Sequence, residues 1–351
     1  MTWKDATLGD VITLKRGYDL PNDSRIEGDI PVVSSSGITG YHNEAKIKAP
    51  AVVTGRYGTL GEVYYVEQDC WPLNTSLYVK DFKGNRPKYV HYFLKNILRG
   101  MQSDKAAVPG VNRNDLHARK VIYADSDSLQ ESIENLLSPY DELIDNNRRR
   151  IQLLEDAARL LFKEWFIHLR FPGHEHVKIT DGVPGGWGKE KIGDILTLNY
   201  GKALKADDRI EGAASVYGSS GVVGTHNKSL VEGPGIIVGR KGNVGAVYWS
   251  AKDFWPIDTV YFISSEQSNL YIYYALQYAG FINTDVAVPG LNRDMAYSRK
   301  LLIPATPVLE SFLKEVRPIR SQIEKLEELN AKLVTARDLL LPRLMNGDIA
   351  V

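Results

Sequence analysis

Two textures alternate along the chain. From Leu8 to Lys80, and again from Gly193, apolar residues come in short runs such as Ala51-Val52-Val53 and Gly235-Ile236-Ile237-Val238, cut by glycines. Short β-branched runs bounded by Gly and Pro predict strands and tight turns. Tyr89 to Leu98 and Leu270 to Tyr278 instead place apolar residues at helical spacing, so each globular half predicts a mixed α/β unit. After each half the pattern changes to long helix. Leu137, Tyr140, Ile144, Asn147, Ile151, Leu154, Ala158, Leu161 and Trp165 step by three and four. Val316, Ile319, Ile323, Leu326, Asn330, Leu333, Arg337, Leu340 and Leu344 repeat that register 179 positions on. A heptad sustained twice fits two helices packed along each other better than two helices lying singly on their own domains, and Asn147 and Asn330 on the seam would help fix register. Pro139 and Pro318 are expected near the helix starts, where proline is tolerated, and Gly173 and Gly347 just past the ends.

The alternation is a tandem duplication. Gly9-Asp10, Gly17, Arg25-Ile26-Glu27-Gly28, Ser35-Ser36-Gly37, His42-Asn43, Gly55-Arg56, Gly58, Gly61, Trp71-Pro72 and Thr75 all recur 184 positions later, from Gly193-Asp194 to Thr259. Roughly 40% of the positions from Leu8 to Lys80 match their partners without a gap, far above chance for so long a stretch. A second block, Ala107 to Arg113, returns as Ala287 to Arg293. The expected fold class is therefore α+β: two pseudo-repeated units, residues 1–125 and 171–305, separated by long antiparallel helices at 126–170 and 306–351 that form a coiled coil.

Composition narrows the chemistry. With 43 basic and 43 acidic residues the net charge is zero, which argues against a protein that coats nucleic acid by bulk attraction. Residues 1–125 carry 17 basic against 14 acidic side chains, and residues 126–170 carry 6 against 9. Cys70 is the sole cysteine, so neither an internal disulfide nor a cysteine zinc cluster can form. No stretch approaches the ~20 apolar residues of a membrane helix and the start lacks a secretory core, so a cytoplasmic protein is expected. His174-Glu175-His176 lies in a Gly- and Pro-containing linker without a counterpart in the other half and reads as a linker, not a metal site; Glu44-Ala45-Lys46 reads as a solvated turn.

The order of globular unit, long helix, globular unit and long helix resembles the specificity subunits of type I restriction-modification systems over essentially the whole chain. The turn Gly55-Arg56-Tyr57-Gly58-Thr59-Leu60-Gly61, its repeat Gly239-Arg240-Lys241-Gly242-Asn243-Val244-Gly245, and the helix ends Ala157 to Phe166 and Ala336 to Gly347 carry the resemblance together. It implies two target-recognition domains, each reading half of a bipartite site on double-stranded DNA. It also implies two methyltransferase subunits docked on the helices and holding S-adenosylmethionine, with restriction subunits joining that core and no cofactor in this chain. No methyltransferase Asp/Asn-Pro-Pro-aromatic motif is present, since Ser138-Pro139-Tyr140 lacks the second proline, and a non-catalytic chain is expected. The rival readings are the DNA-reading part of a fused or type II-like modification enzyme, and a coiled-coil scaffold without a DNA role, which the neutral charge keeps open.

Within this frame Arg56 and Arg240 stand between glycines that allow close approach, and their planar forks match guanine or phosphate. The alternative is a tight strand connection whose arginine pairs with Glu27 or Glu211. Tyr57 and Lys241 flank them. Ser35-Ser36 and Ser219-Ser220 offer small hydroxyls on a turn. Pro109-Gly110 and Pro289-Gly290 predict turns before Asn112 and Asn292, which are also good helix caps, and before Arg113 and Arg293, which capping does not explain. His42 and His226 read as hydrogen-bonded structural residues, and Trp71 and Trp255 as core. Phe162, Trp165, Phe166, Leu341, Leu344 and Met345 exceed what a heptad seam accounts for, and are expected as exposed apolar helix ends that meet the methyltransferase. Similar domains on an antiparallel pair predict related, inverted half-sites with an unread spacer of roughly 5–8 base pairs.

Overall fold

In the computed structural model, which describes residues 3–100, 110–282 and 290–351, the short apolar runs are strands. The first half contains β1 (Trp3–Thr7), β2 (Thr13–Arg16), β3 (Ile30–Ser34), β4 (Gly37–His42), β5 (Ala51–Gly55), β6 (Val63–Val66), β7 (Trp71–Pro72), β8 (Ser76–Asp81) and β9 (Lys120–Ala124). The second opens with a small hairpin, β10 (Ile179–Thr180) and β11 (Val183–Pro184). It continues with β12 (Gly188–Lys191), β13 (Asn199–Tyr200), β14 (Ala214–Gly218), β15 (Gly221–His226), β16 (Gly235–Gly239), β17 (Val247–Ser250), β18 (Phe254–Pro256), β19 (Val260–Ile263) and β20 (Lys300–Ile303). Sheet orders β2-β8-β5-β6, β4-β3-β7 and β1-β9 recur as β13-β19-β16-β17, β15-β14-β18 and β12-β20. The repeat read from the sequence is thus reproduced strand for strand.

The chain divides into two compact units, Met1–Asn146 with Leu329–Val351, and Asn147–Glu328. The division runs through both long helices.

Eight α-helices complete the described residues: α1 (Leu8–Val11), α2 (Pro87–Ile97), α3 (Arg113–His117), α4 (Asp127–Phe162), α5 (Ile192–Ile195), α6 (Leu270–Gln277), α7 (Arg293–Ser298) and α8 (Thr306–Met345). Pro87 in the first turn of α2 costs no hydrogen bond, and the helix buries Tyr89, Val90, Tyr92, Phe93 and Leu94 in the first unit's core. At about 1.5–3 kcal/mol for each fully buried large apolar side chain, this face is what holds α2 on the sheet. The second unit buries Tyr271, Tyr274 and Leu276 of α6 in the same role. An equivalent tie supports each short helix. His117 Nε2 accepts from the Leu14 amide at 2.9 Å, and the Tyr297 hydroxyl accepts from the Leu198 amide at 3.0 Å.

In each unit the two long helices run antiparallel. Within the first, Asp141 pairs with Arg337 and the Ile144 carbonyl accepts from Asn330 at 3.5 Å, so residue numbers rise on α4 as they fall on α8. Within the second, Glu155 pairs with Arg320 at 2.7 Å and the Phe162 ring meets Phe312 at 6.0 Å. Asn147 on the seam is buried, at 1% exposure. Pro139 and Pro318 lie well inside α4 and α8 rather than in their first turns, because the helices begin at Asp127 and Thr306, ahead of the heptad run. Each interior proline removes one backbone hydrogen bond of its helix. A π-helical turn, Lys163–Ile167, extends α4, and Gly173 beyond it takes a left-handed φ of 82°. No helix among the described residues is long and apolar enough to cross a membrane.

The expectation of exposed apolar helix ends is corrected by the packing. Phe162, Trp165 and Phe166 are 2%, 9% and 2% exposed, in an aromatic cluster with Phe312, Tyr271 and Trp187 in the core of the second unit. Leu341, Leu344 and Met345 are likewise buried in the first unit's core, with Leu129, Ile133 and Leu137. Their excess over the heptad seam arises because each helix end is also a wall of its domain's core.

Candidate nucleic-acid interface

A glycine fixes the base of the loop that follows β5. A Cβ on Gly55 would lie 1.8 Å from the Thr59 carbonyl oxygen, so the chain can double back there only without a side chain. The Arg56 and Tyr57 amides both donate to the Thr75 carbonyl, at 2.9 and 3.1 Å, which anchors the loop on the turn before β8. The Arg56 guanidinium then lies over the Tyr57 ring, 4.4 Å from its centroid, and Nη1 donates to the Asn74 carbonyl at 3.4 Å. Such stacking orients the planar fork while leaving donors for a ligand.

Residues remote in sequence are joined to this loop by backbone pairing. The Val111 amide donates to the Arg56 carbonyl at 2.8 Å and Tyr57 bridges Gly110, which sets Arg113 at the start of α3 beside the loop. The serine turn between β3 and β4 abuts the other side. A Cβ on Gly58 would lie 3.4 Å from Ser35 Oγ, and the Tyr64 hydroxyl donates to the Ser35 carbonyl at 3.4 Å. Ser35 is buried and Ser36 exposed, its Oγ 3.0 Å from that of Ser34.

The second unit repeats the construction. Arg240 and Lys241 amides donate to the Thr259 carbonyl at 2.9 and 3.0 Å, Leu291 donates to the Arg240 carbonyl at 2.8 Å, and Lys241 bridges Gly290. A Cβ on Gly242 would lie 3.2 Å from Ser219 Oγ, and the Tyr248 hydroxyl donates to the Ser219 carbonyl at 3.1 Å, leaving Ser220 exposed. Here the ring beneath the arginine comes from the strand. Arg240 and Arg293 each lie 5.0 Å from the Tyr200 ring centroid, and Tyr200 is 49% exposed. The Tyr261 ring packs against Tyr200 in a tilted arrangement at 5.2 Å, and its hydroxyl donates to the Leu291 carbonyl at 3.0 Å. Burial, then the Tyr200 hydroxyl, raises the Tyr261 phenol, so it stays protonated and holds that bond.

Among the described residues, no carboxylate forms an ion pair with Arg56, Arg113, Arg240, Lys241 or Arg293. The pairing with Glu27 or Glu211 is absent; Arg56 and Arg240 instead donate to the backbone carbonyls of Asn74 and Asp258. Each unit therefore presents a loop arginine, a second arginine and an exposed tyrosine, with no ion-paired carboxylate on these cations among the described residues. Such a group can hydrogen-bond phosphate oxygens or the acceptor edge of guanine.

Other candidates are accounted for by structure. Asn112 accepts from the Asn114 amide at 2.9 Å, and Asn292 from those of Asp294 and Met295 at 2.8 and 3.2 Å, so helix capping explains both asparagines. His42 and His226 accept at Nδ1 from the amides of Ile26 and Ile210, both at 3.1 Å, and meet the edges of Trp71 and Trp255. His174 Nδ1 lies 2.8 Å from the Phe171 carbonyl oxygen, and among the described residues no group of three or more His, Cys, Asp or Glu side chains is placed to hold a metal ion. Burial pushes the Cys70 thiol up to about 12, which keeps it protonated and unreactive. Ala107 to Pro109 and Ala287 to Pro289 of the second repeat block lie outside the described residues. Tyr200 is the interface residue that sequence reasoning missed. It stands 40 positions before Arg240 and has no tyrosine counterpart at Arg16, so only the pairing of β13 with β19 brings it to the site.

A family model described as the type I restriction modification DNA specificity domain matches residues 1–156 and 184–292. The chain is 23% identical over 298 residues to the type I restriction enzyme MjaIX specificity subunit of Methanocaldococcus jannaschii, covering 76% of this chain and 68% of that one. It is 26% identical over 246 residues to a putative type I specificity subunit of Mycoplasma pneumoniae, covering 64% and 60%. Among solved structures it resembles the type I restriction-modification S subunit from M. genitalium, with a TM-score of 0.58 and 17% identity over 98% of this chain and 96% of that one. At that identity the structural likeness speaks to the fold alone.

Proposed function

The chain belongs to the type I restriction modification DNA specificity family, whose members are non-catalytic DNA-recognition subunits, and on that premise we propose that each unit reads one half of a bipartite site in double-stranded DNA. The reading surface is the serine turn (Ser35-Ser36; Ser219-Ser220), the glycine-bounded loop (Arg56-Tyr57; Arg240-Lys241) and the second arginine (Arg113; Arg293), with Tyr200 added in the second unit. The observation that carries this reading is the convergence, in both units, of cations that have no carboxylate partner among the described residues, from motifs that lie some fifty residues apart in sequence. Arginine forks account for base discrimination and the exposed hydroxyls of Ser36 and Ser220 for phosphate contacts, with Ser35 and Ser219 shaping the turns.

Two methyltransferase subunits dock on the long helices, bring S-adenosylmethionine, and supply much of the phosphate attraction that a neutral chain lacks; restriction subunits join this core in the cytoplasm. With the six buried helix-end residues excluded, the docking side chains are Leu153 and Leu160 on α4 and Leu339 on α8. These are 68%, 61% and 64% exposed, unusually high for leucine. The test is binding of the chain with its methyltransferase to duplex DNA across a salt series. Affinity falling steeply with log salt, and greater for one sequence than for scrambled duplex, is expected. A salt-independent or absent interaction would favour the scaffold reading instead.

A further inference from the structure

The duplication has exchanged an aromatic residue and a cation between two places in the reading surface. At the repeat offset of 184, Arg16 corresponds to Tyr200 and Tyr57 to Lys241. The backbones agree with that alignment, since Arg16 pairs with Leu77 as Tyr200 pairs with Tyr261, and Tyr57 and Lys241 bridge Gly110 and Gly290. In the first unit the ring that supports the loop arginine sits on the loop itself. Tyr57 packs so closely on the Gly110 backbone that a Cβ there would lie 2.6 Å from the ring. The strand end carries the cation, Arg16, paired with Asp19 at 3.3 Å. In the second unit the ring is at the strand end, Tyr200, and the exposed loop position carries the cation, Lys241.

From this we infer that positions 16 with 57, and 200 with 241, are coupled specificity pairs, and that the two half-sites differ at the base pair beneath the loop tip. This rests on the DNA-reading function proposed above and refines the expectation of related half-sites. A neutral phenol ring at Tyr57 suits the apolar edge of a thymine methyl, whereas the ammonium of Lys241 suits guanine O6 and N7. The pairs are coupled because each unit has to keep one ring under its loop arginine. Moving a lysine to the loop tip without moving a ring to the strand end leaves Arg56 unsupported.

The experiment is methylome sequencing in cells expressing the full chain with its methyltransferase. Tyr57→Lys alone should lower modification by about five- to tenfold, the loss of one cation–ring stack. Arg16→Tyr/Tyr57→Lys should recover modification, with the first unit's half of the motif now carrying guanine where the second unit's half has it. A double variant that keeps the original motif, or that melts like the native chain yet modifies no better than the single, would overturn the inference, as would identical half-sites in the native motif. The reciprocal Tyr200→Arg/Lys241→Tyr variant makes the same test in the second unit should the first variant fold poorly. A native complex that modifies no defined sequence would overturn the DNA-reading function as well, which separates the two failures.

Discussion

Replacing Asp141 tests how the two long helices are locked together within the first unit. Arg337 on α8 is 10% exposed and donates to Asp141 on α4, which is 26% exposed and also accepts from the Tyr92 hydroxyl at 2.7 Å. Asp338 is a second partner of Arg337 at 2.8 Å. Removing one member of a buried pair costs about 3–5 kcal/mol, and because Asp338 remains, Asp141→Leu should fall at the lower end, about 3 kcal/mol. Arg337→Leu should cost a similar ~3 kcal/mol, since it strands the carboxylate. The double variant removes both charges and loses chiefly the Tyr92 hydrogen bond, so about 2 kcal/mol is expected. The singles should therefore overshoot the double by about 4 kcal/mol in sum, against the ~0.5 kcal/mol within which independent sites add.

The assay is urea unfolding read by hydrogen exchange in peptides from 127–146 and 329–345, because a two-unit chain need not unfold in one transition. Additive losses would refute the coupling. The pair also sets an acid dependence. Burial alone would raise the Asp141 carboxyl, but hydrogen bonds from Tyr92 and Arg337 and the charge of Arg337 hold it below the usual 3.8. Its stabilisation is accordingly complete above that ordinary value and is lost as pH falls through the lowered one. Acidification below about 4 should erode protection of these peptides more in the native chain than in the double variant.

Trp165→Ser and Phe166→Ser should each destabilise the second unit by about 3–5 kcal/mol in thermal melts, as core truncations do; native melting with loss of methyltransferase binding would return these residues to an interface. Leu160→Glu with Leu339→Glu should leave the melt within about 0.5 kcal/mol of native yet reduce co-purification with the methyltransferase, and an unchanged yield would remove both from the docking surface. Gly239→Ala should disable the second loop, because its Cβ would lie 2.1 Å from the Asn243 carbonyl oxygen; intact reading of that half-site would show that the loop geometry is dispensable.

The duplication made much of this legible without coordinates. Arg56 with Arg240, and the serine turns, were found because the repeat preserves them, and the paired sheets confirm that each pair occupies equivalent backbone. The heptad runs likewise announced the helices. They did not announce where the helices start, since α4 and α8 begin with residues that pack on the domain core and not on the seam. The same limit misplaced Phe162, Trp165 and Phe166. A surplus of aromatic residues at helical spacing says that a face is covered, but only the neighbouring Tyr271, Phe312 and Trp187 say by what. Tyr200 was invisible for the opposite reason. Its importance depends on the difference between the repeats, where the search was for identity.

If each unit reads its own half of the site, comparative methylome sequencing of Arg56→Ala and Arg240→Ala separates the two halves. An arginine forked onto a base contributes about 1–3 kcal/mol, so each variant should relax roughly one position of the motif by about ten- to a hundredfold. Arg56→Ala should degrade one half of the motif and Arg240→Ala the other, with the remaining half read as before. Relaxation of the same half by both variants, or an equal loss of modification at every sequence, would contradict it.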